Sequence, residues 1–314
     1  MNKTQKSILF ILLAAGIFAR AYRLGDKPLW IDEGINLKVA AFKSVAEIRA
    51  FYVNEQHTAL PNIIDHYWIR TAGKSMAALH SESLMWSVAA LLLFAALAAG
   101  NLTPSAALGA TAVFSIGAFQ PEYAQMLRYP ALSQFAACVW MLGFFRYVRH
   151  GGAAALTLFA AGAVLSVFAH IYGLFILAAS AVFVLAARKK LGGRFLPLLA
   201  AHLVPAAAIA PKIVMYKTSG LTSLLHPAPP LAIIKEIALH PVSGQAHVMF
   251  NFCMGAVYDL TNFPKLATIA VFAVFGVAAV AAATRGDNRF AACWCAWVIA
   301  AATTAGWIVS NLTS

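Results

Sequence analysis

Two adjacent carboxylates, Asp32 and Glu33, are the strongest candidates for chemistry in this sequence. They lie shortly after the first long apolar run and two residues after Trp30, an aromatic residue that favours the membrane interface. Neighbouring carboxylates repel each other, which can raise the pKa of one of them and make it a usable general base. The same acids also suit the first turn of a helix beginning near Asn36, where negative charge is favoured. The residues alone leave both roles open, and the two roles are compatible.

Three other segments contribute further candidates. Arg128 lies between two apolar runs, and an arginine near membrane depth is costly unless it is paired or functional. Its forked donors suit a phosphate leaving group, whereas pairing with Glu122 would make it purely structural. His57 and His170 could line the same site or hold a divalent metal ion, but their spacing matches no metal motif. No cofactor is therefore predicted with certainty, and a divalent metal ion stays open.

The composition indicates that these residues belong to a membrane protein. Of the 314 residues, 61% are hydrophobic and only 11% are charged, and the mean hydropathy is +0.76. An average soluble domain is about 25% charged, so an ordinary soluble enzyme and a disordered chain are excluded. The four cysteines are too scattered for a disulfide framework. The basic residues that give the net charge of +12 lie between the apolar runs. This placement indicates that they orient the chain in the membrane and contact membrane lipids, rather than bind nucleic acid.

The apolar runs predict an all-α integral membrane protein with about nine transmembrane helices, since roughly 20 apolar residues span a bilayer and broken helices need fewer. The predicted spans are 7–23, 84–100, 104–119, 131–147, 153–168, 171–187, 195–211, 266–283 and 290–309. No soluble domain or linker separates them, so residues 1–314 are predicted to form a single transmembrane domain.

Basic residues predict how the chain is oriented. They cluster at 3–6, 146–149, 188–194 and 285–289, and all four clusters face the cytoplasm if the N-terminus is cytoplasmic. This orientation requires a break at His170–Gly173, which divides 153–187 into two short helices. The acidic residues then fall almost entirely on the outer loops. We therefore expect a multi-pass protein of the plasma membrane whose active face is periplasmic or extracellular.

The N-terminal run also resembles a signal peptide, with a small-x-small triplet at 19–21. Arg20 and Arg23 lie where cleavage would occur, and further spans follow, so an uncleaved anchor is expected.

The two long outer loops are predicted to lie against the membrane. In the first, 20–83, Asn36–Val53 has the pattern of one amphipathic interfacial helix, and Pro61–Thr71 is rich in aromatic residues suited to the headgroup level. The second, 212–265, contains a proline-rich stretch at 226–230 that cannot be helical throughout, followed by a second amphipathic stretch at 231–239.

Four short motifs resemble those of GT-C glycosyltransferases, the group of protein mannosyltransferases and aminoarabinose transferases that use polyprenyl-phosphate-linked sugars. Trp30-Ile-Asp32-Glu33 resembles their acidic motif, and residues 55–60 are similar to their His-Pro-Pro-Leu segment. Residues 123–129 resemble a Tyr-Ser-Gln-Glu-x-Arg-x-Tyr element, and residues 168–175 resemble the Thr-His-Tyr-Tyr-Gly-Leu segment that follows it. Order, spacing and topology agree from about residue 8 to 190.

The resemblance implies an inverting transfer of a sugar from a polyprenyl-phosphate donor to a glycan, lipid or protein acceptor. Asp32 would be the catalytic base, and Glu33 would orient the acceptor or help to bind a metal. Arg128 would stabilise the charge that develops on the departing phosphate. The remaining residues that the resemblance places at the substrate are His57, Tyr129, His170 and Tyr172.

Several departures from the family pattern keep other hypotheses open. Thr58 and Ala59 stand where the family has two prolines, and Met126 takes the place of its glutamate. The sequence also lacks the family's later Arg-Tyr-Leu segment, which is what a short or truncated member would show. The first alternative is a catalytically silent membrane subunit or lipid-binding scaffold. The second is a transporter, although no internal repeat supports one.

Overall fold

The computed structural model describes residues 1–219 except 54, 56 and 118, with side chains described as far as residue 215. Within these residues the protein is helical and has no strand. The last two predicted spans, the stretches 226–230 and 231–239, and nearly all of the second outer loop lie outside the described residues.

The described chain folds into a series of helices joined by short turns. In chain order they are α1 (Lys3–Ala21), α2 (Ile31–Ala40), α3 (Val45–Phe51), α4 (Leu60–Thr71), α5 (Met76–Asn101), α6 (Pro104–Ile116), α7 (Phe119–Ala124), α8 (Pro130–His150), α9 (Ala153–Ala169), α10 (Gly173–Ala186), α11 (Arg188–Leu191), a 3-10 turn (Gly192–Arg194) and α12 (Phe195–Ser219).

Seven of these helices correspond to the first seven predicted spans. Four segments are long and apolar enough to cross a membrane, namely Lys3–Ala21, Met76–Asn101, Pro130–His150 and Arg188–Met215. The helices α6, α9 and α10 are apolar but shorter. The structure thus supports a helical membrane protein with four candidate spanning helices, whereas the predicted number of nine is not confirmed.

Helices α8 and α9 form the closest helix pair of the bundle. They are joined by two glycines at 151–152, both with positive φ. A Cβ built on Gly143 would lie 2.2 Å from the backbone nitrogen of Phe159, and one built on Gly162 would lie 2.4 Å from that of Trp140. The two backbones therefore touch at glycines on both sides, and the core of the bundle packs around this contact.

Arg20 ties four helices together at the end of α1. Its guanidinium is fully buried and donates to five acceptors, which are the carbonyls of Gly16, Phe114 and Ser115, the hydroxyl of Ser87 and the amide oxygen of Gln120. These acceptors lie on α1, α5, α6 and α7. Helix α1 is thereby joined to three other helices of the bundle, and the expectation of an uncleaved anchor stays a prediction.

The first outer loop contains two helices where the sequence predicted a single one over Asn36–Val53. Helix α2 begins earlier than expected, at Ile31, and ends at Ala40, and α3 begins only at Val45. The prediction was wrong because Ser44 starts a new helix: its hydroxyl accepts the backbone N–H of Glu47 at 3.3 Å. Helix α4 covers the predicted aromatic segment.

The antiparallel order of the helices gives the bundle two chemically different ends. At one end, which we call the basic end, Arg149 donates to the carbonyl of Gly100 at 2.9 Å and Arg194 donates to the carbonyl of Val148. The other end, which we call the acidic end, consists of α2, α3, α4, the start of α5, α7, the start of α8 and the break at 170–172. The Asp and Glu residues in the described part of the chain lie at the acidic end.

Candidate functional site

The structure brings the predicted site residues together at the acidic end, although they come from four separate segments. Asp32 and Glu33 are on α2, and His57 is on the loop between α3 and α4. Arg128 and Tyr129 join α7 to α8, and the break between α9 and α10 carries His170 and Tyr172. The predicted break at His170–Gly173 is present, since α9 ends at Ala169 and α10 begins at Gly173.

Asp32 and Arg128 form an ion pair at the centre of this group. The Oδ2 atom of Asp32 lies 3.1 Å from Nη1 of Arg128. The Asp32 side chain is 48% exposed and that of Arg128 is 26% exposed, so a ligand can reach both. The alternative pairing of Arg128 with Glu122 is not the one that the structure has. A carboxylate and a guanidinium in contact offer a proton acceptor and an anion-binding group side by side.

Glu33 has a different environment from Asp32. Its carboxylate is buried and accepts the backbone N–H of Trp30 at 2.8 Å and that of Leu127 at 2.7 Å. Burial alone raises the pKa of Glu33, but the contact with His80 and the two backbone hydrogen bonds outweigh burial and lower it. The helix-cap interpretation therefore holds for Glu33, and the expected upward shift does not fall on this carboxylate.

Asn36 and Glu33, both on α2, hold the backbone of Leu127, the residue before Arg128. The Nδ2 atom of Asn36 donates to the carbonyl of Leu127 at 2.9 Å, while Glu33 accepts the N–H of the same residue. Residues three apart lie on one face of a helix, so both contacts come from a single face of α2. Leu127 is fully buried, which fixes the backbone next to Arg128. Sequence reasoning missed Asn36, although its spacing from Glu33 was a usable signal.

His57, Tyr129, His170 and Tyr172 form a group that we call the ring cluster. The rings of Tyr129 and His170 are stacked with centroids 4.0 Å apart, and His57 lies 5.3 Å from His170. Tyr172 meets His170 edge-on at 4.6 Å. The guanidinium carbon of Arg128 lies 5.5 Å from the centre of the Tyr129 ring, which joins the ring cluster to the ion pair.

Both histidines of the ring cluster are neutral at neutral pH. Burial, then His57 and Arg128, lower the pKa of His170 to about 4. Partial burial and the charge of Arg128 likewise lower the pKa of His57. The backbone N–H of Tyr172 donates to Nδ1 of His170 at 3.2 Å, so the neutral ring of His170 carries its proton on Nε2. Neutral imidazoles and phenols are suited to hydrogen bonding with hydroxyl groups.

The loop that carries His57 is fastened by two other helices. The Nζ atom of Lys212, on α12, donates to the carbonyls of Val53 at 3.2 Å and Glu55 at 2.6 Å. The hydroxyl of Thr58 donates to the carbonyl of Phe168 at the end of α9. Sequence reasoning missed Lys212 because it placed this residue in the second outer loop, with no sign of a partner more than 150 residues earlier.

Two further carboxyl groups of the acidic end are buried, and neither forms an ion pair in the described part of the chain. Asp65 is on α4 and Glu82 is on α5. Burial, and secondly the charge of Glu82, raise the pKa of Asp65 well above its ordinary value. Asp65 therefore binds a proton more readily than an exposed aspartate does.

The described residues contain no group of three or more His, Cys, Asp or Glu side chains arranged to hold a metal ion. His57 and His170 are neighbours and neutral, so they offer two nitrogen ligands. Zinc sites usually have at least three protein ligands, whereas Mg²⁺ is often held by one or two carboxylates together with substrate phosphates. The described residues therefore do not provide a zinc site, and the divalent-metal hypothesis stays a prediction.

Comparisons of the chain with protein-family models, with curated proteins and with solved structures find no match. The geometry of the site and the four short motifs are therefore the features from which a function can be inferred.

Proposed function

We propose that this protein is a membrane glycosyltransferase that moves a sugar from a polyprenyl-phosphate donor to an acceptor hydroxyl on the outer face of the plasma membrane. The observation that carries the proposal is the Asp32–Arg128 pair, 3.1 Å apart and accessible, beside the ring cluster. The motif resemblance supports the donor class, and a glycan, lipid or protein are the acceptor classes it implies.

Asp32 is the proposed general base. The acceptor oxygen attacks the anomeric carbon of the sugar and gives its proton to a carboxylate oxygen of Asp32. The bond between the anomeric carbon and the phosphate oxygen breaks, and its electron pair leaves with the lipid phosphate. Attack on the face opposite the leaving group inverts the anomeric configuration.

Arg128 is the proposed partner of the phosphate. Its guanidinium stabilises the charge that grows on the departing oxygen, because a preorganised cation acts most strongly where charge develops in the transition state. In the structure this guanidinium contacts Asp32. A donor phosphate competes for Arg128 and so frees the carboxylate of Asp32 to accept a proton. Donor binding and activation of the base are thereby coupled through one ion pair.

Glu33 and Asn36 have a positioning role in this proposal. Because both hold Leu127, they fix the backbone that carries Arg128 relative to Asp32 on the same helix. The ring cluster provides neutral donors and acceptors for sugar hydroxyls, and its stacked faces suit the apolar face of a sugar ring.

The deciding experiment compares sugar transfer by wild type and Asp32→Asn in membranes that contain a radiolabelled polyprenyl-phosphate-sugar pool. We expect the variant to lose about 100- to 10,000-fold in rate, the contribution of a general base, at normal expression. Asp26→Asn is the matched control, since Asp26 is an exposed acid that pairs only locally with Arg23. Transfer that survives in Asp32→Asn would show that another group is the base.

A silent lipid-binding subunit is the second candidate. The ion pair between Asp32 and Arg128 is also compatible with this function, because an arginine that neutralises a carboxylate can have a purely structural role. Such a subunit would bind polyprenyl phosphate and show no transfer with any donor. Arg128→Gln would weaken binding of the lipid in either case. Transfer by wild type is therefore the result that separates the two functions.

A further inference from the structure

A cleft at the basic end is separate from the proposed site. It has a volume of about 370 Å³ and is lined by Val148, Lys190, Leu191 and Arg194. The residues of the acidic end are on the opposite ends of α8 and α10, so the cleft and the ring cluster lie at different ends of the bundle. Small-molecule sites in proteins occupy roughly 300–1,000 Å³, which makes the cleft large enough for a headgroup.

The described residues around the cleft do not balance its charge. Between residues 123 and 219 the sequence contains no Asp or Glu. Basic residues at this end of the bundle are Arg146, Arg149, Arg188, Lys189, Lys190 and Arg194. Neither Lys190 nor Arg194 forms an ion pair in the part of the chain that the structure describes. The cleft thus presents two cations that have no acidic partner among the described residues.

The α8–α9 turn fixes the position of one of the two cations. Arg194 reaches this turn, where its Nη1 donates to the carbonyl of Val148 and its Nε lies 3.8 Å from a Cβ position built on Gly151. The guanidinium is therefore held on the wall of the cleft that Val148 forms.

Val148 and Leu191 give the cleft an apolar part next to its cations. A free phosphate would gain nothing from this apolar lining, whereas a lipid presents a phosphate and hydrocarbon together. The cleft also lies at the ends of apolar helices, which is where the headgroups lie when such helices span a bilayer. We propose that it binds the phosphate of an anionic phospholipid in the leaflet on the basic side of the protein.

The test measures lipid binding to the full chain by native mass spectrometry after release from phosphatidylcholine vesicles that contain increasing phosphatidylglycerol. Lys190→Gln is the principal variant, because this side chain is exposed and removing its charge leaves the α8–α9 turn intact. A hydrogen bond from a cationic side chain to a phosphate contributes about tenfold or more to affinity, so about tenfold weaker binding of phosphatidylglycerol is expected. Lys190→Gln combined with Arg194→Gln should weaken it by about a hundredfold.

Lys3→Gln with Lys6→Gln is the matched control, since it removes two charges at the start of α1, outside the cleft. The control should bind phosphatidylglycerol as wild type does. If the control and the cleft variant lost the same amount of phosphatidylglycerol binding, the lipid would be held by general attraction to basic residues and not by a specific site. Unchanged binding in both cleft variants would overturn the proposal. Displacement of the lipid by millimolar inorganic phosphate would assign the cleft to free phosphate.

Discussion

Asp32 and Glu33 are neighbours in sequence, yet α2 gives them different environments. Successive residues of an α-helix point about 100° apart, so one carboxylate can be buried while the next stays accessible. Glu33 is occupied by two backbone amides, and Asp32 contacts Arg128. The division of roles in the proposed mechanism follows from this geometry, because only the accessible carboxylate can accept a proton from a substrate.

Replacing Glu33 by alanine tests its role as a support. The change leaves the N–H groups of Trp30 and Leu127 without their acceptor, and a buried unsatisfied group costs about 1–3 kcal/mol. We expect a clear fall in the thermal unfolding temperature of the detergent-solubilised protein. Asp32→Ala is the matched control and should leave this temperature nearly unchanged, because the Asp32 carboxylate is half exposed. If Glu33→Ala were as stable as wild type, Glu33 would not be holding the backbone at Leu127.

His170 makes stability depend on pH in a direction that its environment fixes. Its pKa is about 4 in the folded protein and about 6.5 when unfolded, so between these values the unfolded chain binds more protons. The free energy of unfolding must therefore fall as pH is lowered from 6.5 to 4, by about 3 kcal/mol from this group. In His170→Gln this contribution is absent. Unfolding of wild type and variant should be followed by denaturant titration across this range, and parallel pH profiles would contradict the assignment.

At the scale of helices, the contact between α8 and α9 determines the distance between the segments that carry Tyr129 and His170. Helix α8 carries Tyr129 just before its start and α9 ends just before His170, so the stacked pair of rings depends on how closely the two helices pack. Gly143 and Gly162 provide that close approach from both sides.

Gly143→Ala tests this contact. A methyl group at this position would meet the backbone of Phe159, which cannot yield as a flexible side chain would, and overpacking costs about 1–3 kcal/mol or more. We expect a large loss of thermal stability or of folded protein. Gly109→Ala on α6 is the matched control, because nothing lies within 4 Å of its Cβ position and alanine favours a helix by up to about 1 kcal/mol. Similar losses in both variants would mean that helix flexibility, not packing, is responsible.

The sequence predicts some of these elements well and others poorly, for physical reasons. The break at His170–Gly173 could be inferred because basic clusters at both ends of 153–187 require two crossings. The division of the first outer loop at 41–44 was missed, since the apolar spacing of α2 and α3 continues in phase across Ser44. The partners of Asn36 and Lys212 lie about 90 and 160 residues away, and only the tertiary fold could reveal them.

At the scale of the whole molecule, the two ends differ in charge because of the way the helices alternate. The acids of the described residues and the ring cluster are at one end, and the basic clusters are at the other. In a membrane we expect this difference to orient the protein, because short basic segments stay on the cytoplasmic side. That orientation would direct the proposed site to the outer face and the lipid cleft to the inner leaflet, so both proposals depend on it.

The orientation can be tested with two exposed lysines, Lys27 at the acidic end and Lys189 at the basic end. The background is a protein whose four native cysteines are replaced by alanine. In it, a membrane-impermeant maleimide should label Lys27→Cys in intact cells, because α1 is expected to begin in the cytoplasm and position 27 follows its outer end. Lys189→Cys should react only after the membrane is permeabilised. The reverse pattern would move the proposed transfer to the cytoplasmic face. Labelling of both variants in intact cells would contradict the alternation of the helices, because these two positions are separated by an odd number of crossings.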